Sequence, residues 1–132
     1  MSFLLDTNIC SAHLRRPSGL AHKFVQHSGR LFAPSMVFAE LFSWAYRRDD
    51  PSRILVSIQD LATDVEVLDF DMQCSMEFGR LDGTLGRRGL VVPAVDLMIA
   101  SVALVHDLTL VTHNVTDFRF VPNLRIEDWL TP

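Results

Sequence analysis

The sequence predicts an α/β fold built around a parallel sheet, and three observations carry that expectation. Short apolar runs without polar alternation, such as Phe3-Leu4-Leu5 and Leu31-Phe32-Ala33, read as strands buried on both faces. Between such runs lie stretches with helical spacing, so strand and helix alternate along the chain. That alternation gives a sandwich of helices on a parallel sheet with right-handed crossovers. Finally, the first run stops abruptly at Asp6, and ligands of open parallel sheets bind just past the carboxyl ends of the strands.

With 132 residues, a single domain over 1–132 with one core is expected. An apolar content of 48% and a charged content of 21% describe an ordinary soluble globular chain. The most apolar run, Leu97 to Val105, falls far short of the ~20 residues of a membrane helix. The N-terminus lacks a secretory signal, so a cytoplasmic location is expected. Cys10 and Cys74 have no C-x-x-C spacing and read as free, half-buried thiols. The five histidines have no zinc-ligand spacing. A net charge of −4 argues against a nucleic-acid partner. The distribution softens this: Lys23 is the only lysine, and the arginines include the pairs Arg15-Arg16, Arg47-Arg48 and Arg87-Arg88. Arginine makes bidentate phosphate contacts, and a basic pair equally suits a solvated helix C-terminus.

Taken in order, Phe3–Leu5 is the first strand, and Thr7 or Asn8 can cap a helix through Ile9, Ala12 and Leu14. Arg16-Pro17-Ser18-Gly19 reads as a turn, followed by a helix over 20–27 that Ser28-Gly29 ends. Leu31–Ala33 is a second strand closed by Pro34. Ser35 then serves as N-cap of a helix to about Arg48 that is apolar nearly all round, hence largely buried. Asp49-Asp50-Pro51 opens a helix through Ile54, Leu55, Ile58 and Leu61, and Val65, Val67 and Leu68 alternate with polar residues as a third strand. Asp71 caps a helix from Met72 to Leu85, with Gly79, Gly83, Gly86 and Gly89 softening its second half and end. These glycines form neither G-x-G-x-x-G nor a P-loop. A second strongly apolar helix runs from Ala94 to His106, broken by Ser101, with Asp96 in its first turn. Thr109–Thr112 is a fourth strand, and Leu124-Arg125-Ile126 is a last short one before Trp129.

Four acidic residues stand out. Asp6 and Asp117 follow strands, Asp96 opens a helix, and Glu40 sits in the centre of an apolar one with no basic residue at i±3 or i±4. Each alone has a plain alternative: Asp6 and Asp96 as caps or turn residues, Glu40 as one half of an ion pair. Together they can face one edge of the sheet. Converging carboxylates repel one another and persist when they hold a hard divalent cation, magnesium or manganese, through oxygen ligands. Such a site suits phosphodiester hydrolysis.

In Leu4-Leu5-Asp6-Thr7-Asn8, Glu40, Asp96-Leu97-Met98-Ile99-Ala100 and Thr112-His113-Asn114-Val115-Thr116-Asp117-Phe118, the chain resembles the PIN-domain ribonucleases of the VapC type, toxins of bacterial toxin–antitoxin pairs. The ending from Val121-Pro122-Asn123-Leu124 through Trp129 is similar as well, so the likeness covers essentially the whole chain. His113 departs from the pattern, standing where many relatives have Arg or Asp. The resemblance implies a three-layer α/β/α sandwich with a central, mainly parallel sheet of four to five strands. It also implies magnesium- or manganese-dependent cleavage of transfer or ribosomal RNA, a homodimer, and a small DNA-binding antitoxin whose C-terminal segment covers the active site. By position the acidic set is Asp6, Glu40, Asp96 and Asp117, with Asp6, Asp96 and Asp117 on the metal. Thr112 and Asn114 are expected to orient Asp117 and its loop, and Asn8 to support Asp6. Arg15, Arg16, Arg87 and Arg88 are the candidates for RNA contacts. The helix around Phe38, Phe42 and Trp44, with Ile54 and Leu55, is expected to offer a groove to the antitoxin.

Other phosphate-handling folds fit less well. A receiver domain needs a late lysine, and Lys23 is early; a haloacid-dehalogenase-like phosphatase needs aspartate where this chain has Asn8. A catalytically inactive PIN scaffold that only binds protein or nucleic acid is the remaining alternative, and such scaffolds usually lose acidic residues that this chain keeps.

Overall fold

A computed structural model describes residues 1–131. Its elements run β1 (Phe3–Leu5), α1 (Thr7–Arg15), α2 (Pro17–Gln26), β2 (Leu31–Pro34), α3 (Ser35–Tyr46), α4 (Ser52–Asp64), β3 (Glu66–Leu68), α5 (Met72–Arg87), α6 (Ala94–Val105), β4 (Thr109–Val111), a 3-10 turn (Val115–Phe118) and β5 (Ile126–Glu127). The five strands form one sheet in the order β3-β2-β1-β4-β5, and every pairing is parallel. Helices α1 to α4 pack on one another, and α5 pairs with α6.

The strands form where they do because their side chains have nowhere wet to go. All of β1 and β4 is buried, and Leu4, Leu5, Leu110 and Val111 are wholly inaccessible. Chain order along the sheet reverses between β1 and β4, so the crossovers from these two central strands leave in opposite directions. The crevice that opens there, past the strand ends, is where such sheets bind ligands. Asp6 and Thr112 are the residues directly after β1 and β4.

Several local expectations need correcting. Asp6, not Thr7 or Asn8, caps α1, accepting the Thr7 N–H. Arg16–Gly19 is not a turn: Pro17 opens α2, where its fixed φ and missing N–H cost nothing. Ser35 is the first helical residue of α3 and makes no capping bond; Pro34 precedes it. Helix α5 runs through its glycines to Arg87 and stops at Gly89, whose φ of +71° suits glycine. The last strand is Ile126–Glu127, a residue or two later than expected. Cys10 and Cys74 are free, as expected, but fully buried.

The largest correction concerns α3. Only the stripe Val37, Phe38, Leu41 and Ala45 is buried, while Ala39, Glu40, Ser43 and Tyr46 are exposed. Alanine and aromatic residues made the helix read as apolar on all sides, yet it meets its neighbours on one face. Phe38 therefore belongs to the core and not to a surface groove. No helix among the described residues is long and apolar enough to cross a membrane.

Candidate active site

The site is built from the residues that follow β1 and β4. The Asp6 backbone N–H donates to the Val111 carbonyl at 2.9 Å, continuing the pairing of the strands one residue past their ends. This fixes the Asp6 side chain over the crevice. Its Oδ1 accepts the Thr7 N–H at 2.7 Å, and its Oδ2 accepts the Thr112 hydroxyl at 2.7 Å. Asn8 ties the two strand ends together. Its amide group reaches Asp6 Oδ2 and Thr112 Oγ1, each at 3.4 Å, and its carbonyl oxygen accepts the His113 N–H at 3.0 Å. Asn8 thus bonds to both Asp6 and Thr112.

Thr112 and Asn114 behave differently from the expectation. Thr112 orients Asp6 rather than Asp117, because its hydroxyl faces the strand β1 beside it. The Asn114 side chain makes no capping bond. Its backbone does the positioning, with its N–H on Thr112 Oγ1 at 3.0 Å and its carbonyl accepting the Asp117 N–H at 3.1 Å. Asp117 itself is exposed in the 3-10 turn.

Glu40 is not the buried carboxylate that its apolar neighbours suggested. It lies on the exposed face of α3, where Thr7 donates its hydroxyl to Oε1 at 2.9 Å. That bond links α1 to α3 across the site. Asp96 is half-buried in the first turn of α6.

The charges of the other three carboxylates act on Asp96. Burial, then the charges of Asp6, Asp117 and Glu40, push the Asp96 carboxyl up to about 6. Burial also raises Asp6, and Glu40 adds to this, against the lowering effect of the bonds from Thr112, Thr7 and Asn8. Asp6, Glu40 and Asp117 are thus all near enough for their charges to reach Asp96. Among the described residues, none of the four is in a salt bridge.

The donor set is all oxygen, four carboxylates beside hydroxyl and amide groups, with excess negative charge. That chemistry fits a hard divalent cation. The carboxylates are not drawn into a closed cage: among the described residues, no group of three or more His, Cys, Asp or Glu is gathered to hold an ion.

Of the four candidate RNA-binding arginines, Arg15 lines a cleft that also contains Glu40, and Arg16 lines a neighbouring cavity with Arg15, Leu20 and Trp129. Arg87 and Arg88 close α5, as the helix-end reading has it. Sequence reasoning passed over Ser11 and gave Thr7, Trp44 and Arg47 other roles, as helix cap, antitoxin groove and basic pair; all four line the cleft with Glu40 and Arg15. The signal was there in the spacings 7, 11, 15 and 40, 44, 47, each one face of a helix.

The fold and the acidic crevice define a class, the nucleases with carboxylates clustered at the switch point of a parallel sheet, and comparison with known proteins places the chain within it. The PIN domain family matches residues 3–123. The tRNA(fMet)-specific endonuclease VapC of Salmonella typhimurium is 33% identical over 130 residues, covering 98% of both chains. Ribonuclease VapC2 of Haemophilus influenzae is 30% identical over 131 residues, covering 98% of this chain and 99% of its own. The crystal structure of DNA-bound VapBC from Salmonella typhimurium superposes with a TM-score of 0.91 at 33% identity, covering 98% of each chain. The chain belongs to the PIN-domain family, as a ribonuclease of the VapC toxin type.

Proposed function

We propose that this ribonuclease is the toxin of a toxin–antitoxin pair and hydrolyses transfer RNA with magnesium or manganese at Asp6, Glu40, Asp96 and Asp117. The observation that carries this reading is a half-buried Asp96 that feels the charges of Asp6, Asp117 and Glu40, none of the four being in a salt bridge among the described residues. A scaffold that only binds would have no use for that arrangement, and burial and repulsion at Asp96 would cost it stability. The relative named for tRNA(fMet) cleavage supports transfer RNA as the substrate class, with ribosomal RNA as the second to try. The DNA-bound VapBC complex supports a small, VapB-like, DNA-binding antitoxin as partner, and a homodimer is the assembly expected with it.

Asp6, Asp96 and Asp117 would hold the ion. When bound, the divalent cation lowers the pKa of a water and neutralises charge developing on the phosphate. The chain's own residues do the rest. Thr112 and Asn8 fix the orientation of the Asp6 carboxylate, so that its remaining lone pairs face the crevice. Thr7 holds Glu40 by Oε1, which leaves Oε2 to accept the proton of the attacking water. In-line attack then leaves 5′-phosphate and 3′-hydroxyl ends.

The test is cleavage of an initiator tRNA transcript by the purified chain in magnesium, in manganese and in EDTA. Cleavage with either metal, none in EDTA, and a fall of orders of magnitude in folded Asp6→Asn protein are expected. Undiminished cleavage by Asp6→Asn overturns the assignment.

A further inference from the structure

Beside Glu40 a cleft of about 390 Å³ runs between α1 and α3. Helix α1 lines it with Thr7, Ser11 and Arg15, α3 with Glu40 and Trp44, and Arg47 follows directly on the end of α3. Residues three or four apart share a helix face, so each helix contributes a ladder that starts in the acidic site and ends in an arginine. Eight residues of α1 span about 12 Å, which sets the distance from Thr7 to Arg15 along the cleft. Midway stand hydroxyls and an indole. Arg48 stacks over the Trp44 ring at 4.7 Å, which holds the indole in place. Among the described residues, neither Arg15 nor Arg47 is in a salt bridge.

We propose that this cleft is the subsite for the nucleotide adjoining the scissile phosphate, with Arg15 and Arg47 on backbone phosphate and Trp44 packed on the base. This rests on the ribonuclease reading above and adds where the single strand lies. A chain of net charge −4 with four carboxylates at its reaction centre repels a polyanion. Binding therefore needs fixed cations close to the cut, and this cleft places two in line with Glu40. Guanidinium groups bind phosphate bidentately, and an aromatic ring stacks any base, so the subsite holds single-stranded RNA with little sequence preference. The neighbouring cavity of Leu20, Trp129 and Leu130 contains no residue of the acidic set. A protein partner with an apolar segment is disfavoured in the cleft, because it would strip water from both arginines and Glu40 without pairing them.

The test uses a short fluorescein-labelled single-stranded RNA and the full chain. Binding is read by anisotropy in calcium across a salt series, and cleavage separately in manganese. Arg15→Gln with Arg47→Gln should weaken binding about tenfold or more and flatten the log–log salt slope by about 1.4, two contacts at about 0.7 each. Trp44→Ala should weaken binding about tenfold and leave the salt slope unchanged. Because Trp44 is half-buried, Ser43→Glu provides a variant at an exposed cleft position; it should weaken binding while its melting temperature stays that of the wild type. In cleavage, KM should rise more than kcat falls. Wild-type protein that cuts neither this RNA nor an initiator tRNA transcript overturns the ribonuclease reading itself, and protein that cuts the transcript without binding the short RNA overturns the subsite. Wild-type protein that binds and cuts, with all three variants equal to it, overturns the subsite alone and leaves the cleft to a protein partner.

Discussion

The Asp6 carboxylate is held at both oxygens, by the Thr7 N–H on one side and the Thr112 hydroxyl on the other. Thr112 is wholly inaccessible, so this bond lies out of competition with water. Thr112→Val should cost about 1–3 kcal/mol, the range for a buried hydrogen bond to a charged group, and should lower activity by letting Asp6 rotate. Thr112→Ser should restore both, as read by melting and by tRNA cleavage. The Asp96 shift gives a pH prediction. Its folded pKa of about 6 lies above the ordinary 3.8, so the native state binds more protons than the unfolded chain between those values. Stability of the metal-free protein should therefore be greatest below about pH 4, as far as Asp96 contributes, fall as pH rises toward 6, and level off above it. Thermal melts in EDTA across this range should show the decline in wild type and a smaller one in Asp96→Asn. Equal slopes would count against the shift.

At the scale of elements, α3 has two faces with opposite tasks. Leu41 is wholly buried and Tyr46 is two-thirds exposed. Leu41→Ala should lose about 2–5 kcal/mol to the cavity it leaves, while Tyr46→Ala should stay within about 0.5 kcal/mol of wild type. Denaturant melts of the two variants measure this directly. The sequence overstated the buried face, because Ala39, Trp44 and Tyr46 count as apolar wherever they point. Periodicity alone could not separate the stripe at 37, 38, 41 and 45 from its flanks. The strands were easier to see. Continuous apolar runs such as Phe3–Leu5 have one reading in a short alternating chain, and β1, β2 and β4 lie within a residue of where that reading puts them. Capping was harder, since Asp6, Thr7 and Asn8 are all cap formers and the choice depends on Val111 and Thr112, about a hundred residues away.

Across the whole molecule, the strand order brings together residues that lie far apart in the sequence. Asp6 and Thr112 stand side by side because β1 and β4 are neighbours at the reversal of the sheet, and local sequence carries no trace of that adjacency. Asp6, Glu40 and Asp96 were legible as candidates because each interrupts or ends an apolar run, and Asp117 because it follows a strand. Their mutual charge effect was legible only as a consequence of convergence. The roles of Thr7, which bridges to Glu40, and of the arginines at the end of the α1–α3 cleft depend on how two helices pack, and the sequence shows only that each residue lies on a helix face.

The central claim is that these carboxylates form one divalent-metal site. It is tested most directly by the melting temperature of wild type and Asp96→Asn, each in EDTA and in rising manganese. A cation that binds the native site and not the unfolded chain raises the wild-type melting temperature with the logarithm of its concentration above the dissociation constant. In Asp96→Asn the metal-free protein should be as stable as wild type or more so, because repulsion is relieved, and the response to manganese should be lost or strongly reduced. Asparagine caps a helix about as well as aspartate, so a purely structural Asp96 would leave the metal response intact. An unchanged manganese response in Asp96→Asn would contradict the account.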